Sequence, residues 1–242
     1  MTTPQPAPGT VQVRAGAAVV TAIERFAPAD PNRPAGPVED MSTVTYPPVA
    51  GMEPQTARSE VVAAAARLEQ ELSKTDGFVG GVLLAGQKGD IVLYSQWETT
   101  ANPPAEMLPE WSIAPAVPEL DRIVGGTFTV DFSAPDPFSE VSLARTPKAH
   151  FGVFTVAPEN QERLLELARE SALKSMGTPG LLAVNFHRSL DGHRVLNFGL
   201  WSDFDGFGKL LDRPGFTDDG QYWNGVAGFR PHYFDVAAVV TR

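Results

Sequence analysis

One pattern occurs twice in this 242-residue chain, and it limits what the chain can fold into. In the second half, residues 149–156 (AHFGVFTV) read as a strand. Leu164, Leu165, Ala168, Ala172 and Met176 then recur at helical spacing, predicting an amphipathic helix over 158–175. Pro158 suits its first turn, where a missing N–H leaves no bond unmade. Gly177 to Gly180 stop it. Residues 181–188 and 194–201 flank Asp191-Gly192, a dipeptide that favours a two-residue hairpin turn. Ser202 reads as the cap of a short helix over 203–211, and residues 231–241 read as a closing strand. The order βαββαβ is ferredoxin-like.

The first half repeats that order. Residues 17–26 supply a strand, Val61, Val62, Ala65, Leu68 and Leu72 mark a helix over 57–74, and strands over 79–85 and 91–97 flank Lys88-Gly89-Asp90. Residues 124–132 supply the fourth strand. Trp97 and Trp201 each close the second strand of a hairpin. Two such sheets carry helices on one face only, so their bare faces must bury against each other. The expected fold class is therefore α+β: two tandem ferredoxin-like (βαββαβ) repeats forming an intramolecular α+β barrel. The repeats are placed at 13–134 and 148–242, with a disordered tail over 1–12 and a linker over 135–147. Eighteen of the 22 prolines precede residue 148, concentrated in 27–55, 99–123 and the linker, which marks those stretches as insertions acting as lids, packing arms or spacers.

Composition excludes several classes of function. A net charge of −10 argues against nucleic acid and anionic membranes. The absence of cysteine rules out disulfides, a thiolate nucleophile and Cys-ligated metals. No apolar run reaches the ~18–20 residues of a membrane span, and no secretion signal is evident at the N-terminus, so the expected location is cytoplasmic.

Chemistry concentrates on residues 194–201. Alternation along a strand puts Asn197, Gly199 and Trp201 on one face. An Asn amide can bond a phenol or quinone oxygen, Trp offers a flat wall and one N–H, and Gly leaves room for a planar ring. The plainer alternative is a core Trp beside an Asn bonded to nearby backbone. A two-residue turn sets Phe186 opposite Asn197 and points His187 away. Phe207, Tyr222 and Trp223 are candidates for the pocket wall. Arg230 and His232 share a face at the start of the last strand and could supply a charge or a proton. No metal site is expected from His187 and His193.

The strand FGVFTV, the helix PENQERLLELARESALKSM, the step GTPGLLAVNFHRSLDG and above all Asn197-Phe198-Gly199-Leu200-Trp201 resemble the antibiotic biosynthesis monooxygenase family, whose members form dimeric α+β barrels. The resemblance covers residues 148–242 well and 14–134 weakly. It implies Asn197 and Trp201 as the catalytic pair acting on a polycyclic phenol. Gly199, Phe186, Phe207, Tyr222, Trp223, Arg230 and His232 are then expected to bind the substrate. O2 would be the co-substrate, with no tightly bound cofactor or metal. The long tandem form looks most like the angucycline B-ring-opening oxygenases, which implies aromatic-polyketide C–C cleavage and implicates reduced flavin and a flavin reductase partner. An anthrone-type monooxygenase forming a quinone is the first alternative, and a non-oxidative polyketide-binding or cyclase-like protein the second. A haem-degrading relative would need an axial His after the Trp, and residues 202–221 contain none. The first copy carries Leu93 where the second carries Asn197, so one working pocket per chain is expected, in a monomeric barrel or a homodimer of fused barrels.

Overall fold

A computed structural model describes residues 9–16, 19–28, 72, 74–86, 91–98, 120–213, 215–217 and 220–242. Its strands are β1 (Val11–Arg14), β2 (Val19–Pro28), β3 (Phe78–Gly86), β4 (Ile91–Glu98), β5 (Leu120–Ala134), β6 (Phe138–Val141), β7 (Lys148–Val156), β8 (Leu181–Ser189), β9 (Arg194–Trp201) and β10 (Ala227–Thr241). A 3-10 turn (Pro158–Asn160) leads into helix α1 (Gln161–Ser175), and a short helix α2 (Phe207–Leu211) follows β9.

Eight strands close into one barrel in the order β10-β3-β4-β2-β5-β8-β9-β7. Each half supplies four neighbours in ferredoxin-like order, β3-β4-β2-β5 and β8-β9-β7-β10. The two 15-residue strands join the halves. β5 pairs with β2 up to Phe128 and then with β8, while β10 pairs with β7 up to Asp235 and with β3 from Phe234. The fourth strand of each copy thus completes the sheet of the other.

The irregularities repeat as well. Each hairpin shifts register near its start, between Phe78 and Gly80 in one copy and between Leu181 and Ala183 in the other. Each long strand shifts after its bend, between Val130 and Phe132 and between Val236 and Ala238. Bulges sharpen the local twist that barrel closure needs. Phe78 then faces Trp97, as Leu181 faces Trp201.

The inner faces of both sheets pack together in the barrel, with Ile23, Val82, Tyr94, Phe128, Phe151, Phe198 and Phe234 at its core. A polar cluster lies inside this lining. The His187 ring has Nδ1 3.0 Å from the Asn185 carbonyl and Nε2 3.0 Å from the Tyr94 hydroxyl. A carbonyl only accepts, so Nδ1 donates and Nε2 accepts from Tyr94. Burial pushes the His187 pKa down to about 4 and the Tyr94 pKa up. His187 therefore turns into the barrel, away from Asn197, as the hairpin register requires.

The outer face of the C-terminal sheet carries α1. Leu164, Leu165, Ala168 and Ala172 pack on Phe154, Val184, Phe186 and Trp201. Asp131, on the β5 bulge, accepts from Arg169 at 2.8 Å and from Arg188 at 2.5 Å, which fastens the helix to the sheet.

Several boundaries differ from expectation, and β5, expected over 124–132, runs from Leu120 to Ala134. Val11 and Gln12, assigned to a disordered tail, belong to β1, which pairs with β6 inside the stretch expected to be only a linker. The pair forms because Val11, Val13 and Val141 are buried apolar positions, but four-residue strands are too short for periodicity to reveal. β10 begins at Ala227 rather than 231, running through Pro231. There β10 pairs on one side only, with Gly152 of β7, so the missing N–H costs no ladder bond. The short helix expected over 203–211 is confined to Phe207–Leu211. The helix expected over 57–74 lies outside the described residues except at its end, where Leu72 packs beside Phe78, Leu93 and Trp97. Most of the proline-rich stretches 27–55 and 99–123 also lie outside them. Among the described residues no helix is long and apolar enough to cross a membrane.

Candidate active site

Between the outer face of the C-terminal sheet and its covering elements lies a cavity of about 760 Å³, counting its open mouth. β9 contributes Asn197, β7 His150 and Phe154, β8 Val184 and Phe186, and β10 Phe229, Pro231 and Tyr233. Helix α1 closes one side with Ala172 and Ser175. The roof comes from α2 and the loop after it, through Phe207, Leu210, Phe216, Tyr222 and Trp223. Arg213 holds this roof down by donating to the carbonyls of Lys174 and Met176 at the end of α1. The walls are aromatic and aliphatic, the composition expected where a planar apolar ligand is bound.

Of the candidate residues, Asn197, Phe186, Phe207, Tyr222 and Trp223 line this cavity, and Phe186 pairs directly with Asn197. Trp201 does not. It is fully buried beneath the cavity and is not a wall on which a ring could stack. Its indole N–H donates to His150 Nδ1 at 2.8 Å. Gly199 also differs from expectation. A Cβ built on it would stand 2.1 Å from His150 Cε1, so the space it leaves belongs to the His150 ring rather than to a ligand. Arg230 and His232 are corrected too. Side chains alternate along β10, so they face away from the cavity side occupied by Phe229, Pro231 and Tyr233.

The two copies satisfy the same tryptophan differently. Trp97 donates to Ser95 Oγ at 2.9 Å. Ser95 holds the position of Gly199, and Ala22, its partner across the ladder, holds that of His150. Exchanging Ser and Ala for Gly and His moves the acceptor from the Trp-bearing strand to its neighbour. It also brings an imidazole to the cavity wall. Gly199→Ala should undo this. Displacing His150 should cost about 1–3 kcal/mol of stability, typical of overpacking. Urea denaturation checks it, and an unaltered midpoint would show that His150 can move without penalty.

His150 is the functional candidate that the sequence reading missed. His150, Gly152 and Phe154 share one face of β7, and the Gly152–Asn197 and His150–Gly199 pairs bring that face beside the Asn/Trp strand. The signal was a lone His opposite a Gly, recognisable only once strand order is known. Burial pushes the His150 pKa down to about 4, so it is neutral near pH 7. Burial also raises the pKa of Tyr222 and Tyr233. Among the described residues, the cavity is lined by no carboxylate and no Lys or Arg. Nor does any group of three metal-ligating side chains occur among them. Among the described residues, the lining thus holds no cationic side chain that would partner a flavin phosphate.

No protein-family profile matches the sequence, and no curated protein matches it. Solved structures do. An anthrone oxidase-like protein superposes with a TM-score of 0.68 at 13% identity, over 96% of both chains. A proposed monooxygenase from Fusobacterium nucleatum gives 0.60 at 12% identity, covering 94% of this chain and 96% of its own. A proposed monooxygenase from Lactobacillus acidophilus gives 0.53 at 9% identity, covering 92% of this chain and 96% of its own. At such identities the likeness is one of fold, and the chain shares along nearly its whole length the α+β barrel of these proteins.

Proposed function

We propose that the protein is an oxygenase acting on a polycyclic phenol or anthrone, held in the cavity on the outer face of the C-terminal sheet. The observation that carries this reading is the cavity itself: aromatic walls, with the Asn197 amide at the floor. The anthrone oxidase-like neighbour supports the same direction through its fold. Ring opening of an angucycline, expected from the tandem arrangement, draws no support from these neighbours, and the proposal is the simpler oxidation to a quinone.

The chemistry balances without a resident cofactor. The substrate loses a proton from the carbon opposite its carbonyl, and the resulting anion delivers electrons to O2. One oxygen atom bonds to that carbon, the O–O bond then breaks, and the other oxygen leaves as water. One anthrone and one O2 give one quinone and one water. The protein binds the ring, excludes water and hydrogen-bonds the oxygen on which the anion's charge resides.

His150 makes a poor base, since its Nδ1 lone pair is already taken by Trp201. The substrate therefore meets the protein as its own anion or loses its proton to solvent. The kcat/KM profile should rise with pH along the ionisation curve of the substrate, with no enzyme inflection near 6.5. An inflection there that vanishes in His150→Gln would contradict this. Oxygen uptake with an anthrone, with and without added reduced flavin, tests the function as a whole. The expected result is uptake without flavin, at one O2 per quinone.

A further inference from the structure

The cavity opens at the start of β10, and one ring bars the opening. Among the described residues that line the cavity, Pro231 is the exposed one. There β10 pairs with β7 alone, since its pairing with β3 starts only at Phe234. Phe229 and Tyr233 stand on the same face, two residues to either side of Pro231. They meet the roof in different ways. Phe229 lies over Gly152, where an added Cβ would stand 2.9 Å from its Cε2, and it packs on the buried Trp223 with ring centroids 4.5 Å apart. Phe229 is therefore fixed. Tyr233 is half-buried and touches the roof edge-on, with its centroid 5.0 Å from that of Phe207 and 5.6 Å from that of Phe204. Among the described residues no hydrogen bond holds its hydroxyl. Phe207 is itself backed by Trp201 and His150, at 5.4 and 5.9 Å, so Tyr233 is the ring of this pair that can turn.

We propose that Tyr233 controls entry: a fused-ring ligand reaches the cavity past Pro231, and it passes only when the Tyr233 ring turns away from Phe204 and Phe207. Two edge contacts favour the closed arrangement by about five- to a hundredfold. That is firm enough to keep water from the reacting ring and weak enough to open. Tyr233 is not a catalytic residue in this scheme, since it acts on passage and not on the reacting atoms. The inference rests on the cavity being the ligand site proposed above, and it adds the route by which that site is reached.

Stopped-flow binding of anthraquinone, followed by tryptophan fluorescence, tests it. A residue that only lines a site changes the rate of exit and with it the affinity. A residue that bars the way changes entry and exit together and leaves the affinity nearly alone. Tyr233→Ala should therefore raise both rate constants by about tenfold and move Kd by less than about threefold. Tyr233→Leu keeps more apolar bulk and gives the same reading if Tyr233→Ala fails to fold. Tyr233→Phe restores the ring and should restore the slow entry and exit of wild type. Unchanged rates in Tyr233→Ala or Tyr233→Leu would overturn the inference, as would faster exit at an unchanged rate of entry, which makes Tyr233 an ordinary wall residue. Fast rates in Tyr233→Phe would overturn it too. Each of these results leaves the ligand site standing. Failure of anthraquinone to bind wild type at all overturns the inference together with the site on which it rests.

Discussion

Acidifying the protein from pH 7 to pH 4 should remove about 6 kcal/mol of its stability, about 3 kcal/mol from each of two buried histidines. His150 and His187 each have a pKa of about 4 in the folded chain because burial disfavours the imidazolium. In the unfolded chain both return to about 6.5. Between these values the unfolded state binds protons that the folded state does not. The stabilisation is therefore fully present above about pH 6.5 and is lost as the pH falls toward 4. Neither site offers the proton a welcome. His150 Nδ1 is occupied by Trp201, and His187 Nε2 by Tyr94. A loss of this size is comparable with the whole stability of a typical domain, roughly 5–15 kcal/mol. Urea denaturation at pH 7, 5.5 and 4.5 measures it. His187→Gln should flatten the dependence by close to one proton. A midpoint unchanged between pH 7 and 4.5 would mean that neither ring is held neutral by burial.

Removing the amide at the cavity wall should have the largest effect on rate. Asn197→Ala should lower kcat on an anthrone by about 10²–10³-fold, the range seen when one preorganised donor to a developing oxyanion is lost. The expected change in stability is small by comparison. One end of the amide has no hydrogen-bond partner within the protein, and the other reaches His150 only at 3.5 Å. Oxygen uptake and urea denaturation on the same preparation separate the two effects. A variant that loses stability and activity in step would make Asn197 a structural residue, the plainer alternative raised by the sequence.

Much of the barrel was legible because its signals are periodic or chemically specific. Helical spacing through Leu164, Leu165, Ala168 and Ala172 marked α1, Asp191-Gly192 marked the hairpin, and the two closing tryptophans marked the repeat. Strand alternation put Asn197 on the outer face, and the hairpin register set Phe186 beside it. What escaped was whatever depends on neighbours distant in sequence. Trp201 sits on the predicted face yet one layer too deep, because α2 and His150 cover it. Gly199 reads as an open space until β7 is known to lie alongside and fill it. Arg230 and His232 were placed from a strand expected to begin at 231. Their face is fixed instead by the pairing of β10 with β7 from Ala227 onward. The β1–β6 pair carried no signal, since four residues hold too few alternations.

On the proposed reading, this cavity oxidises a polycyclic phenol or anthrone with O2, using its own hydrogen bonds. The most direct test is a single turnover of anthrone under 18O2, with flavin omitted and chelator present, scored against the buffer rate and against Asn197→Ala. The reaction should be accelerated, place one labelled oxygen in each quinone and lose its acceleration in the variant. Oxidation no faster than in buffer, or equally fast with and without the Asn197 amide, would contradict it.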